Sequence, residues 1–140
     1  AAVRAMSHPP PQLPEKAVSG GGESRLLGRW GESIAADDLR RRGWSILYTN
    51  YRCRGGEIDI IASKSGVLAF VEVKLRKTSG FAPARAFVTA GKQRKLRLTA
   101  ELYLLEHPTD LQPRFDVAEV YAPQGMETAH PEIIYIENAF

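Results

Sequence analysis

The features of this sequence that could do chemistry are charged residues set inside apolar strands. Gly56-Glu57-Ile58-Asp59-Ile60-Ile61 is followed, beyond Ser63-Lys64-Ser65-Gly66, by Phe70-Val71-Glu72-Val73-Lys74. Strand side chains alternate between faces, so Glu72 and Lys74 share one. A hairpin would bring Asp59 opposite Glu72. Two carboxylates and an ammonium group inside apolar strands are costly unless they pair or bind a metal. Close carboxylates repel, and one of them takes up a proton unless a cation lies nearby. A divalent ion such as Mg²⁺ or Mn²⁺ resolves that conflict, because Mg²⁺ accepts one or two carboxylates while keeping several waters. Such an ion acidifies a bound water and clamps a phosphate oxygen. Lys74 would orient the attacking water or offset charge developing on the phosphate. The expected chemistry is phosphodiester hydrolysis, with Asp59 and Glu72 as metal ligands. A Glu-x-Lys by itself is more often a solvated pair on an exposed strand; Asp59 on the preceding strand reverses that preference.

Those residues need elements to hold them. Leu27, Trp30, Gly31 and Ile34, widened by Ala35 and Leu39, repeat at helical spacing and predict a helix from about Ser24 to Arg42. Gly43 stops it, and Arg40-Arg41-Arg42 suit the negative end of the helix dipole. A strand is expected over Trp44 to Asn50 and a turn over Arg52 to Gly56. Strands over Glu57 to Ala62 and Val67 to Leu75 then form a hairpin. Thr78 to Ala86 reads as a loop, and a second helix covers Thr89 to Glu106 with Leu96, Ala100, Tyr103 and Leu104 on its buried face. His107-Pro108 ends it. Strands over Arg114 to Tyr121 and Glu132 to Glu137 complete the chain. The order α-β-β-β-α-β plus a terminal strand implies an α/β fold, a mixed central sheet flanked by helices. Residues 1 to 22, rich in proline and glycine, are expected to be a disordered leader, and residues 23 to 140 a single domain.

The chain resembles the YraN-like family of bacterial proteins, and through it the PD-(D/E)xK superfamily of restriction-endonuclease-like folds, which includes Holliday junction resolvases. The resemblance spans about Gly28 to Tyr121. It is carried by Gly31-Glu32, Asn50-Tyr51-Arg52, Gly56-Glu57-Ile58-Asp59, Phe70-Val71-Glu72-Val73-Lys74, Lys92-Gln93-Arg94-Lys95 and Arg114-Phe115-Asp116-Val117. It implies a restriction-endonuclease-like αβββαβ core, metal ligation by Asp59 and Glu72, and catalytic assistance from Lys74. It implies roles for Glu32 and Gln93 as well. Each has a plainer alternative: a solvated helix glutamate, and a surface glutamine in a basic helix. Ile58 stands where the superfamily's name places proline, a residue that shapes the backbone and supplies no ligand. Glu57 shares a face with Asp59, which leaves two readings, a third carboxylate of the site or a strand-end partner of Arg52 or Arg54, and the pairing is the one expected. Asp116 is expected to pair with Arg114 or the sheet edge.

Net charge is only +3, yet residues 25 to 100 carry 16 basic against 6 acidic groups, and residues 101 to 140 carry 1 against 8. The basic body suits a polyanion. Arg40, Arg41, Arg52, Arg54, Arg76, Lys77, Lys92, Arg94 and Lys95 are the candidate nucleic-acid contacts, giving salt-dependent affinity without base reading. No zinc knuckle, helix-turn-helix or RNA-binding aromatic motif is present. Trp30, Trp44, Tyr48 and Tyr103 read as core. His8, His107 and His130 lack metal-ligand spacing, and Cys53, the only cysteine, has no partner histidine. No apolar run approaches the roughly 20 residues of a membrane span, and a cytoplasmic protein is expected. The expected function is a Mg²⁺- or Mn²⁺-dependent endonuclease. The resolvase resemblance implies structured or branched DNA as its substrate. The alternative is a non-catalytic nucleic-acid-binding module on the same fold, acting in DNA repair or processing. Symmetric cutting would suit a homodimer.

Overall fold

The computed structural model describes residues 19–77 and 88–140. Helix α1 (Ser19–Arg41) is followed by strands β1 (Ser45–Cys53), β2 (Gly56–Lys64) and β3 (Val67–Arg76). Helix α2 (Ala90–Glu106), strand β4 (Gln112–Tyr121), a 3-10 turn (Gly125–Glu127) and strand β5 (Glu132–Ile136) complete the chain. The expected α-β-β-β-α-β order and terminal strand are present. The Thr78 to Ala86 loop, and the leader up to residue 18, lie outside the described residues.

Two boundaries differ from expectation. Helix α1 begins at Ser19, about five residues before the expected start, and so runs through Gly20-Gly21-Gly22. Glycine is a weak helix former, costing about 1 kcal/mol against alanine, but unlike proline it does not forbid the helix. The turn expected over Arg52 to Gly56 shrinks, because β1 continues to Cys53 and β2 starts at Gly56. Arg52 therefore belongs to a strand end, paired with Glu57 across the ladder.

The sheet order is β1-β2-β3-β4-β5, antiparallel except for the parallel β3–β4 pair. The β2–β3 hairpin turns at Ser65 and Gly66, both with positive φ (49° and 82°). That geometry matches the right-handed twist of the strands it joins. Parallel β4 requires a crossover, which α2 provides.

One helix covers each face. Leu96, Ala100 and Tyr103 of α2 pack on Ile61, Leu68 and Phe70. Ala35, Ala36 and Leu39 of α1 pack on Ile60, Ala62, Ala69 and Val71. Alternation along β2 and β3 thus feeds two cores from the same strands. Trp44 and Tyr103 are buried as expected, and Trp30 and Tyr48 pack against the cores.

Gly31 fixes how closely α1 sits on the sheet. A Cβ there would meet the Leu75 side chain at 3.0–3.1 Å. Gly31→Val should therefore push α1 outward and cost about 1–3 kcal/mol by overpacking. Glu32, the next residue, would be carried off with it. A thermal melt reads the stability loss; an unchanged melting temperature would mean the contact is slack.

Candidate active site

The β2–β3 ladder runs from the hairpin turn as far as Ile60↔Val71. Just beyond, the Val73 N–H donates to Asp59 Oδ2 at 2.8 Å. A carboxylate thus takes a backbone amide where the strands part, and groups from both helices reach that opening.

From α1 comes Glu32. Its carboxyl oxygen, one from Glu57 and one from Asp59 all lie within 4.8 Å of one another, a spacing that could hold a cation. Glu32 Oε1 is buried without a hydrogen-bond partner. Burial raises the pKa of Glu32, while the adjoining Asn50 and Asp59 side chains pull it down. Asp59 is pushed well above the usual carboxylate range, first by burial and then by the charges of Glu72 and Glu32. These groups resist ionising together, which is the electrostatic condition that a divalent cation relieves.

From the other face comes α2. Thr89 caps it, its hydroxyl accepting from the Lys92 N–H. Lys92 Nζ lies 2.5 Å from Glu72 Oε2, and Lys74 Nζ lies 3.6 Å from the same oxygen. Glu72 is 5% exposed, so its charge is offset inside the protein. Burial, followed by the neighbouring Lys92 charge, lowers the Lys74 pKa. Burial acts downward on Lys92 too, but its contact with Glu72 prevails and raises it.

Among the expected site residues, Glu32 joins Asp59, and Lys74 joins Glu72. Glu72 lies outside the three-carboxylate group and acts on Asp59 through its charge. Gln93 turns to the start of its own helix, donating from Nε2 to the Val88 carbonyl at 2.9 Å. Glu57 has two associations. It pairs with Arg52 (3.4 Å), as expected, and it belongs to the carboxylate group. Two participants go beyond the expected site residues. Lys92, expected only as a phosphate contact, is bound to Glu72. Asn50 lies in β1 with φ of 55°, a left-handed conformation that asparagine tolerates. Its presence in the Asn50-Tyr51-Arg52 motif is the one available signal.

The basic candidates divide. Arg40 pairs with Asp37 (3.0 Å) and Arg41 with Asp38 (3.7 Å) at the end of α1. Arg76 is turned inward, at 3.3 Å from both Glu119 Oε2 and the Tyr121 hydroxyl. Arg52, Arg54, Lys77, Arg94 and Lys95 are exposed. Among the described residues no helix is long and apolar enough to cross a membrane.

Comparison with known proteins agrees on one family. The family described as "Uncharacterised protein family UPF0102" matches residues 31–120, which contain every element of this site. A UPF0102 protein of Symbiobacterium thermophilum is 47% identical over 119 residues, covering 84% of this chain and 98% of its own. One from Geotalea daltonii is 41% identical over 122 residues, covering 86% and 94%. One from Syntrophotalea carbinolica is 50% identical over 95 residues, covering 67% and 77%. The chain belongs to the UPF0102 family, the YraN-like proteins.

Proposed function

We propose that this chain is a divalent-cation-dependent endonuclease of the PD-(D/E)xK type, hydrolysing phosphodiester bonds in structured or branched DNA. The carrying observation is the convergence of Glu32, Glu57 and Asp59 donor oxygens within 4.8 Å, beside a buried Glu32 oxygen without a partner. An all-oxygen donor set suits a hard cation such as Mg²⁺ or Mn²⁺. When bound, the ion would acidify a water and offset charge on the phosphate.

The rest of the chemistry belongs to the side chains. Asp59 and Glu32 hold the cation, and Glu57 completes the set. Glu72 holds the Lys74 and Lys92 side chains close together at the same opening. Lys74, with its lowered pKa, is suited to orient the attacking water and take up a proton from it. Lys92 faces the phosphate as a fixed positive charge. DNA is the polymer favoured by the nuclease resemblance, and branching is its most specific implication. The resemblance also makes a homodimer the natural arrangement for paired cuts.

The test is cleavage of labelled linear duplex, single strand, flap and four-way junction with Mg²⁺, Mn²⁺ or EDTA. Glu72→Ala and Lys74→Ala should each lower metal-dependent cutting by about 100-fold or more. A salt-sensitive binder that cuts none of these substrates would instead support the binding-module reading, in which Glu72 serves only to anchor two lysines.

A further inference from the structure

The strands beside the carboxylates break their alternation at one place. In β2, Ile58 packs in the core under α2, whereas Ile60, two residues on, packs in the core under α1. A regular strand would put both on one face. Asp59 lies between them, on the α1 side with Glu32. Strand β1 makes the matching change. Its register runs Thr49↔Ile60 and then Tyr51↔Ile58, so Asn50 stands across from Asp59. Thr49 and Asn50 both line a cavity against Glu32, Ser33 and Ala36 of α1, and Tyr51 packs in the core under α2. Two consecutive residues can face one helix because Asn50 has a φ of 55°, which swings its side chain out of the usual alternation. Such conformations cost stability in most residues and cluster at functional sites.

We propose that Asn50 is a positioning residue for the cation site. Its left-handed backbone turns the carboxamide onto Glu32 and holds that carboxylate toward Asp59 and Glu57. The Asn50 and Asp59 side chains both hydrogen-bond Glu32, and Glu32 Oε1 is buried without a partner. Both bonds therefore fall on Oε2. An ionised carboxylate only accepts, so the bond from Asn50 comes from its Nδ2. One oxygen of Glu32 is thereby tied down, and the other is left bare for a cation. Ligating carboxylates are oriented in this way by hydrogen bonds from outside the ligand set. Asparagine suits both tasks, since it tolerates the left-handed region and supplies an amide. Glycine would meet only the first, and alanine neither.

Such a role rests on the cation site of the proposed nuclease, yet it can be read without nucleic acid. Mn²⁺ binding to the whole protein would be followed by electron paramagnetic resonance of the free ion, with thermal melts in EDTA alongside. Asn50→Gly keeps the backbone and removes the amide, so it should melt near the wild-type temperature while weakening Mn²⁺ binding about 10–100-fold. Asn50→Ala should weaken Mn²⁺ binding as much and also melt lower, because alanine resists a φ of 55°. A glycine variant that binds Mn²⁺ as tightly as the wild type would overturn the proposal and leave the cation site intact; Asn50 would then serve the backbone alone. Unchanged Mn²⁺ affinity with weaker DNA binding would overturn it too, making Asn50 a substrate contact. No Mn²⁺ binding by the wild type would remove the cation site, and the role of Asn50 with it. Mn²⁺ binding that depends on the Asn50 amide, in a protein that cuts no substrate, would keep the role and remove the nuclease reading.

Discussion

Asp59→Asn is expected to abolish metal-dependent cleavage while making the protein more stable in the absence of metal. The loss should be at least about 100-fold, since a cation would forfeit one of its charged ligands. The stability gain follows from the raised pKa of Asp59, which burial and the Glu72 and Glu32 charges keep well above the ordinary carboxylate value. The folded protein holds a proton there that the unfolded chain releases. Stability therefore falls as pH rises from the ordinary carboxylate pKa through the raised one. Asparagine carries no charge to lose, and its Oδ1 can still accept the Val73 N–H. Its advantage should be greatest above the raised pKa, a melting-temperature rise of about 2–4 °C for about 1 kcal/mol. Mg²⁺ or Mn²⁺ should stabilise the wild type at about pH 8, less at about pH 5, and the variant hardly at all. Melts of both proteins at the two pH values, with and without metal, decide the matter. If the asparagine variant melts lower than the wild type and metal shifts neither protein, Asp59 is a structural strap between β2 and β3.

That expectation depends on a hairpin whose geometry is already legible in the residues. Ser65-Gly66 marks a tight two-residue turn, and such a turn fixes the register of the strands it joins. Once that register is set, Asp59 must come near Glu72. The second helix, its Thr89 cap and the returning strand follow from equally local signals. The start of α1 does not. Three consecutive glycines score poorly as helix, and local propensity gives no reason to continue the helix through them.

The site is less legible because its contacts cross between layers. Sequence spacing can put Glu72 and Lys74 on one face of a strand, but it cannot say which part of α2 hangs over that face. Lys92 reaches Glu72 because Leu96, Ala100 and Tyr103 seat the helix at a particular height on Ile61 and Phe70. Glu32 is an open choice between site and solvent for the same reason: the depth of α1 depends on Gly31 against Leu75. Glu57 illustrates a different limit. The sequence offers it two roles, a partner of Arg52 or a third carboxylate, and it takes both because one carboxylate group has two oxygens. Arg76 shows the cost of reading basic residues by type alone. Its place opposite Tyr121 on parallel β4 turns it toward buried Glu119 rather than toward phosphate.

The largest stability effect is expected far from the carboxylates, at Asp116. Its side chain is fully buried and accepts two bonds from Arg114, from Nε and Nη2, each at 2.9 Å. It also accepts from the Tyr135 hydroxyl and, at 2.8 Å, from the Asn138 N–H. Asp116 thus ties β4, β5 and the residues after β5 to one carboxylate, and Arg114 lies over the Trp44 ring as well. Asp116→Ala leaves a mostly buried guanidinium without its principal partner, and strands a hydroxyl and an amide. Breaking such a pair costs about 3–5 kcal/mol, a fall of roughly 10 °C in melting temperature for a domain of this size. Arg114→Leu/Asp116→Leu should recover part of the loss, because removing both charges costs less than orphaning one. Hydrogen exchange should show the β5 amides opening before those of β2 and β3. The protein that remains folded should cut at the wild-type rate, since none of these groups belongs to the carboxylate site. A loss of cutting without a loss of stability would instead tie Asp116 to the chemistry.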